Sequence, residues 1–164
     1  MELKRRFNYR KVFVVFYVLC FLVYLAFGLQ PAEASQEFFS QKLEIPSINL
    51  ETPVAELELV DRELETPDKI AGSFSIHKNK TLIIGHSTTV FENLKDVRMS
   101  DILYYNDKLY EVYGIETLAK NDISMSKIMA AEENDTLVLM TCAGELLDGG
   151  DATHRLIIRA VKLF

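Results

Sequence analysis

Asp135-Thr136-Leu137-Val138-Leu139-Met140-Thr141-Cys142 is the stretch that decides the fold of this 164-residue chain. Its consecutive apolar residues predict a β-strand that runs directly into a Thr-Cys pair. Cys142 is the only cysteine beyond residue 20, so the later part of the chain carries a single thiol. A free cysteine is often just a small buried hydrophobe, but a lone thiol at a strand end is also a candidate nucleophile.

Two other apolar runs adjoin residues that can support a reactive thiol. Thr81-Leu82-Ile83-Ile84 ends on Gly85-His86, and Leu156-Ile157-Ile158 starts directly after Arg155. An imidazole can serve as general acid or base, and a guanidinium can hold a carbonyl oxygen or an oxyanion. Each also has an ordinary reading as a surface residue in a loop or at a strand start. Together, a thiol, an imidazole and a guanidinium at three strand ends predict a cysteine active site.

Three residues compete for these roles. His77 lies in the polar run His77-Lys78-Asn79-Lys80 and is expected to be solvated. His154 directly precedes Arg155, and side chains alternate along a strand, so His154 is expected to point away from the site. Arg159 shares a strand face with Arg155, but it falls in the middle of the strand, further from the predicted site.

No metal or phosphate site is indicated by the spacing of ligand residues. The chain has no His-x-x-x-His or Cys-x-x-Cys pair and no phosphate-binding glycine loop. Glu56 and Glu58 would share a strand face and could help to bind calcium, although paired acids on a solvated strand are commoner. We therefore expect no cofactor, with calcium as the one alternative.

The N-terminus carries a membrane signal. Residues 1–11 hold five basic residues and one acidic residue, and Val12 to Leu29 is a run of eighteen residues without a charge. As a helix, this run would be about 27 Å long, close to the thickness of a bilayer's hydrocarbon core. The positive-inside tendency then predicts a cytoplasmic segment (1–11), a transmembrane signal anchor (12–29), a linker (30–41) and an extracellular domain (42–164). Cleavage after Ala34, within a small-x-small pattern, is the alternative.

The charge of the chain beyond residue 11 excludes one class of partner. This part holds 13 of the 18 basic residues and 23 of the 24 acidic residues, an excess of ten acids. Phosphate backbones select basic surfaces, so nucleic-acid binding is not expected.

The remaining pattern is dominated by short strands. One hairpin is predicted around Asn106-Asp107, and an exposed loop is predicted over Gly144–Thr153. Many strands with few helices indicate a small closed or nearly closed barrel. The predicted strands are 42–50 (interrupted by Pro46), 52–60, 70–76 (weak), 81–84, 101–105, 109–118, 136–142 and 156–164, with helical turns over 90–97 and 122–133.

These motifs resemble those of the sortases, membrane-anchored cysteine transpeptidases of mainly Gram-positive bacteria. Val138-Leu139-Met140-Thr141-Cys142 is similar to the family's Thr-Leu-x-Thr-Cys, with Val138 as the one departure. Arg155 opens an apolar strand as the family's arginine does, and Gly85-His86 is similar to its histidine motif. Leu43-Glu44-Ile45-Pro46-Ser47-Ile48 resembles the family's opening strand, so the resemblance covers about residues 42–164. The loop between Cys142 and Arg155 is this chain's own.

The resemblance implies a mainly β fold, an eight-stranded sortase-type barrel with short helices, and three catalytic residues. Cys142 would attack the Thr–Gly carbonyl of an LPxTG-like sorting signal, His86 would protonate the leaving amine, and Arg155 would stabilise the oxyanion. Thr141, beside the nucleophile, is expected to contact the substrate. The partners would be secreted proteins with a C-terminal sorting signal and an amine from peptidoglycan precursor or pilin.

Two other functions remain open at the level of sequence. The domain could be a cysteine endopeptidase that releases its product to water. It could also be a catalytically silent, sortase-like binding module at the cell surface.

Overall fold

A computed structural model of the chain describes residues 41–60, 64–128, 130–147 and 151–164. Eight strands and one short helix, α1 (Met125–Ile128), are found in these ranges, together with three 3₁₀ turns. The strands are β1 (Gln41–Ile45), β2 (Leu50–Glu56), β3 (Ala71–His77), β4 (Lys80–Ile84), β5 (Ile102–Tyr105), β6 (Lys108–Ala119), β7 (Thr136–Leu146) and β8 (Ala152–Lys162). The 3₁₀ turns are Pro46–Ile48, Leu94–Asp96 and Lys120–Asp122.

The strands form a closed barrel in the order β1-β2-β3-β4-β7-β8-β6-β5, with β5 returning to β1. Strand β4 pairs with β7 in parallel, as β2 does with β3, and the other neighbours are antiparallel. Closure leaves no strand edge unpaired around the ring. The predicted mainly β, eight-stranded barrel with few helices is confirmed.

The hairpin between β5 and β6 lies where the sequence predicts it. Asn106 and Asp107 connect the strands and have φ angles of 50° and 62°. Positive φ at both central residues is the requirement of a type I′ turn, whose twist matches that of the paired strands. Asn and Asp tolerate this conformation better than other non-glycine residues, which explains the choice of residues at the turn.

Alternation along the strands gives the barrel an apolar interior. Fully buried side chains from almost every strand meet there, including Leu43, Ile83, Leu103, Leu139 and Ile158. Strands β4, β7 and β8 also bury the side chains of their opposite face. Those side chains form the outer cluster, which we define as Leu82, Ile84, Val138, Ile157 and Ile128 of α1. Burial on both faces explains why these three strands are continuous apolar runs in the sequence.

The last two strands are longer than predicted. They form a ribbon in which Ala143 pairs with His154 and Leu146 pairs with Ala152, so part of the predicted 144–153 loop is strand. Cys142 therefore does not end its strand, and Arg155 is the fourth residue of β8 rather than the residue just before the strand. The side chains of 144–147 are exposed, so this part of the ribbon lacks the alternation from which a strand is predicted.

Other element bounds also differ from prediction. Strand β1 ends before Pro46, which starts a 3₁₀ turn because proline has no N–H for the sheet. Strand β2 ends at Glu56, so Glu58 lies outside it. The predicted 90–97 helix is a set of turns with one 3₁₀ turn, and the predicted 122–133 helix is reduced to α1. The weak 70–76 strand is a full barrel strand, β3.

The predicted cytoplasmic segment (1–11), signal anchor (12–29) and most of the linker (30–41) lie outside the described residues. In the part of the chain that the structure does describe, none of the helices has the length and apolar character to span a bilayer.

An ion pair between a buried lysine and a half-buried glutamate joins the start of β4 to the segment before β7. The Nζ atom of Lys80, a side chain only 1% exposed, lies 2.5 Å from Glu132 Oε1 and 2.9 Å from the carbonyl oxygen of Ala130. The second carboxylate oxygen of Glu132 accepts from Thr136 Oγ1 at 3.0 Å and from the Tyr113 hydroxyl at 3.1 Å. Burial by itself raises the pKa of Glu132, but the hydrogen bonds from Lys80, Thr136 and Tyr113 outweigh it and hold the pKa below its usual value.

We expect Glu132→Gln to destabilise the protein by about 1–3 kcal/mol near pH 7, because the buried ammonium group loses its counter-charge. Since the pKa of Glu132 is lowered on folding, its contribution is present above its unfolded pKa and is lost as the pH falls through its folded pKa. Urea unfolding at several pH values from 7 downward checks this. The difference between wild type and variant should shrink on acidification, and a constant difference would contradict the role of the carboxylate charge.

Candidate active site

The predicted nucleophile lies on the outer face of the barrel. Along β7 the buried Leu137 and Leu139 point into the interior, so Val138, Met140 and Cys142 take the opposite face. Cys142 is half-buried and is a free thiol. Because it continues the outer cluster along β7, its surroundings on this face are largely apolar.

Strand pairing brings Arg155 to Cys142. The two residues are direct partners in the antiparallel β7–β8 ladder. Opposite residues in such a ladder have Cβ atoms about 4.5–5.5 Å apart and lie on the same face. The arginine is thus carried to the thiol by backbone register and not by a loop.

Parallel pairing brings His86 to the same place. Ile83 pairs with Leu139 and Ile84 pairs with Met140, so two further residues on each strand lead to His86 and Cys142. The His86 Nε2 atom lies 3.3 Å from the carbonyl oxygen of Thr66 and 4.0 Å from Asp68 Oδ1. The Asp68 side chain is 97% exposed, so the contact with Thr66 is the more effective restraint on the ring.

A buried hydrogen bond joins the end of β4 to β7. The hydroxyl group of Thr141, which is 4% exposed, donates to the carbonyl oxygen of Gly85 at 2.7 Å. Glycine is required at position 85 because an added Cβ would lie 2.7 Å from side-chain atoms of both Val90 and Phe91. The residue before Cys142 and the residue before His86 are therefore tied directly to each other.

All three predicted catalytic residues border one cavity of about 650 Å³. Its wall is largely apolar and includes members of the outer cluster. The exposed side chains of Leu59 and Met125 stand at its margin, so it is open to solvent. The lining residues are Leu59, Leu64, Thr66, Phe74, Leu82, Ile84, Gly85, His86, Met125, Met140, Thr141, Cys142, Asp151 and Arg155.

Comparison with known proteins identifies the family. A family model, the sortase domain, matches residues 43–163. Sortase A of Corynebacterium diphtheriae, in a lid mutant, shares 25% identity and a TM-score of 0.58 over 76% of this chain and 69% of that one. Sortase A of Listeria monocytogenes gives 15% identity and a TM-score of 0.58 over 76% and 87% of the two chains. Sortase C of Clostridium perfringens, solved with the C-terminal cell wall sorting motif, gives 21% identity and a TM-score of 0.56 over 75% of this chain and 69% of that one. No curated protein matches.

The chain belongs to the sortase family. Sortases are cysteine transpeptidases, and the sequence resemblance to them is thereby confirmed. Within this sortase, the roles of His86, Cys142, Arg155 and Thr141 stay predictions that rest on the geometry above.

The competing residues lie elsewhere in this sortase. The Arg159 guanidinium pairs with Glu116, at 2.5 Å between Nη1 and Oε1, and does not border the cavity. His154 Nδ1 lies 2.8 Å from Thr153 Oγ1, and the exposed His77 ends β3 near the other end of β4. Within the described ranges, no three His, Cys, Asp or Glu side chains are grouped closely enough to hold a metal ion.

The structure adds residues that sequence reasoning missed. Asp151 borders the cavity, and its Oδ1 lies 2.6 Å from Arg155 Nη2. Lys120 binds the other carboxylate oxygen of Asp151. The spacing of four residues between Asp151 and Arg155 was a weak sequence signal for an ion pair. Lys120 lies 31 residues from Asp151, so nothing in the sequence indicated their contact.

A second cavity, of about 380 Å³, also has Cys142 in its lining. It shares only Thr141 and Cys142 with the lining of the first. Its other walls come from the turns after His86, among them Ser87 and Glu92, and from the β7–β8 ribbon, including Leu146. Cys142 thus belongs to the lining of both cavities.

We expect Thr141→Val to lower both stability and activity. The substitution removes the hydroxyl group that donates to the buried carbonyl oxygen of Gly85, which costs about 1–3 kcal/mol, and releases the Gly85 end of β4. Thr141→Ser keeps the hydroxyl and serves as the matched control. Thermal unfolding and peptide-cleavage kinetics check this. If Thr141→Val kept its melting temperature and changed only KM, Thr141 would instead contact substrate directly.

Proposed function

We propose that this sortase cleaves an LPxTG-like sorting signal and transfers the acyl product to an amine. The observation that carries the proposal is the shared cavity, which Cys142, His86 and Arg155 border together. The Clostridium perfringens sortase C structure with the cell wall sorting motif supports this class of substrate. The open, largely apolar wall of the cavity suits an extended peptide with apolar side chains.

In the first half-reaction, the Cys142 thiolate attacks the carbonyl carbon of the scissile Thr–Gly bond. The carbonyl oxygen becomes an oxyanion, which Arg155 stabilises with N–H donors. Collapse of this intermediate breaks the C–N bond, and protonated His86 gives its proton to the departing amine. The product is a thioester on Cys142, with the free glycine end of the signal released.

In the second half-reaction, an amine attacks the thioester carbon and displaces the thiolate. Neutral His86 accepts the proton that the attacking amine loses. We assign this amine to the cavity of about 380 Å³, whose lining includes both Cys142 and Ser87, the residue next to His86. Its lining carries Glu92 beside Lys95, and the Glu92 carboxylate can accept a hydrogen bond from the amino group of an acceptor, such as a lysine of a pilin or an amine of peptidoglycan precursor.

We further propose that the enzyme is held in the cell membrane by residues 12–29, with its catalytic domain outside. The support is the uncharged run of eighteen residues behind a basic flank. Anchoring would hold the enzyme at the membrane from which secreted precursors emerge.

Trapping the thioester tests the proposal most directly. Incubation with a library of Leu-Pro-x-Thr-Gly-type peptides should add the mass of the acyl fragment to wild-type protein, and the fragment also reports the motif. Cys142→Ala should give no adduct while it unfolds like wild type. Arg155→Lys keeps the charge but loses the planar fork, so we expect adduct formation at least tenfold slower. An equal adduct on Cys142→Ala would remove Cys142 as nucleophile, and failure of an alkylating probe to label Cys142 in folded protein would favour a silent binding module.

The choice between transfer and hydrolysis is tested by adding an acceptor. Triglycine or hydroxylamine should divert the thioester from hydrolysis to aminolysis, and chromatography with mass detection separates the two products. A hydrolytic product alone, at every acceptor concentration, would assign the enzyme as an endopeptidase. Glu92→Gln should raise the triglycine concentration needed for half-maximal transfer, whereas cleavage of the donor peptide stays unchanged.

A further inference from the structure

Arg155 is held by an acidic residue of its own strand region. Asp151 Oδ1 lies 2.6 Å from Arg155 Nη2, and the same oxygen accepts the backbone N–H of Ala152 at 2.8 Å. Lys120, in the 3₁₀ turn after β6, binds the second oxygen, Oδ2. The carboxylate therefore bridges two cations that come from different parts of the chain.

The hydrogen bonds of Arg155 leave a defined part of its guanidinium free. Nη1 donates to the carbonyl oxygens of Ala152 at 3.0 Å and of His154 at 2.9 Å, and Nη2 donates to Asp151. A guanidinium has five N–H groups. Among the described residues, these contacts occupy three of them, so the Nε–H and one Nη2–H remain for a substrate oxygen. The side chain is 16% exposed, which further restricts its rotamers.

The charges around the guanidinium also matter for an oxyanion. Asp151 borders the cavity and, paired with Arg155 alone, would leave the site with no net positive charge. Lys120 restores one positive charge to the group of three. Hydrogen bonds from Lys120, Arg155 and the Ala152 backbone hold the pKa of Asp151 well below its usual range, so the bridge stays ionised at neutral pH.

We propose that Asp151 and Lys120 are positioning residues for Arg155: Asp151 fixes the guanidinium, with two donors free, at the cavity that Cys142 also borders, and Lys120 orients Asp151 and offsets its charge. Neither is proposed to touch the reacting atoms. The inference rests on the proposed function in one respect, namely that Arg155 acts on the substrate carbonyl oxygen. It assigns a role to this chain's own loop, whose residues 147 and 151 are also joined by a backbone hydrogen bond of 2.8 Å.

The test measures single-turnover thioester formation with a Leu-Pro-x-Thr-Gly peptide for a set of variants. Asp151→Asn should lower the maximal rate about tenfold to a hundredfold, as expected for a misplaced catalytic group, with KM within about threefold of wild type. Asp151→Glu keeps the charge and should recover part of the loss. Lys120→Met should give a smaller loss of rate, because Asp151 still holds Arg155.

Two comparisons separate positioning from a general effect of charge or stability. Lys127→Met removes the same charge from the exposed face of α1, outside the bridge, and should leave the rate unchanged. The double variant Lys120→Met/Asp151→Asn should be no slower than Asp151→Asn, since Lys120 acts through Asp151. Melting temperatures show whether any loss of rate follows from unfolding.

The outcomes are distinguishable from failure of the proposed function. If Cys142→Ala loses the adduct but Asp151→Asn and Lys120→Met keep the wild-type rate, the positioning role is overturned and the transpeptidase proposal stands. Additive losses in the double variant, or an equal loss in Lys127→Met, would also overturn it. If Cys142→Ala retains the adduct, it is the proposed function that fails.

Discussion

The parallel pairing of β4 with β7 is the contact on which the site depends. It aligns the end of β4 with β7, so His86 and Cys142 each lie two residues beyond the last pair of this ladder, Ile84 with Met140. The pairing is secured at both ends, by the Lys80–Glu132 ion pair at the start and by the Thr141–Gly85 hydrogen bond at the finish. The antiparallel partner β8 then adds Arg155 opposite Cys142. Backbone register therefore places Cys142 and Arg155 opposite each other, and His86 follows two residues after the end of β4.

The burial of both faces of β7 determines where on the strand the site lies. The interior face of β7 packs in the barrel core, and its outer face packs against β4, β8 and α1. Where the outer cluster ends, the same face carries the thiol and the guanidinium. The apolar wall of the cavity is thus a continuation of the packing that stabilises the strands. A substitution in the outer cluster would therefore change both the stability of the barrel and the wall of the cavity.

Much of the fold could be predicted because its core strands carry strong local signals. The runs ending in Gly85-His86 and in Thr141-Cys142 are apolar on both faces, and the Asn106-Asp107 turn has the residues that its φ angles require. The extension of β7 and β8 beyond the barrel could not be predicted, since its exposed residues show no alternation. Asp151 and Lys120 were also missed, because a contact between residues 31 positions apart depends on how β6 and β8 pair. The family was recognisable from the motifs around Cys142, whereas the surroundings of Arg155 required the structure.

The outer position of Cys142 has a consequence for the size of the molecules that can react. A thiol inside a closed barrel would meet only groups small enough to enter the lumen. Here the cavity lies on the outside of the barrel wall and is bordered by exposed side chains such as Leu59 and Met125. A polypeptide laid across it keeps both ends in solvent, with no threading and no unfolding of whatever is attached. The architecture therefore sets no upper limit on the mass carried by either reactant, and it is suited to joining objects much larger than the enzyme itself.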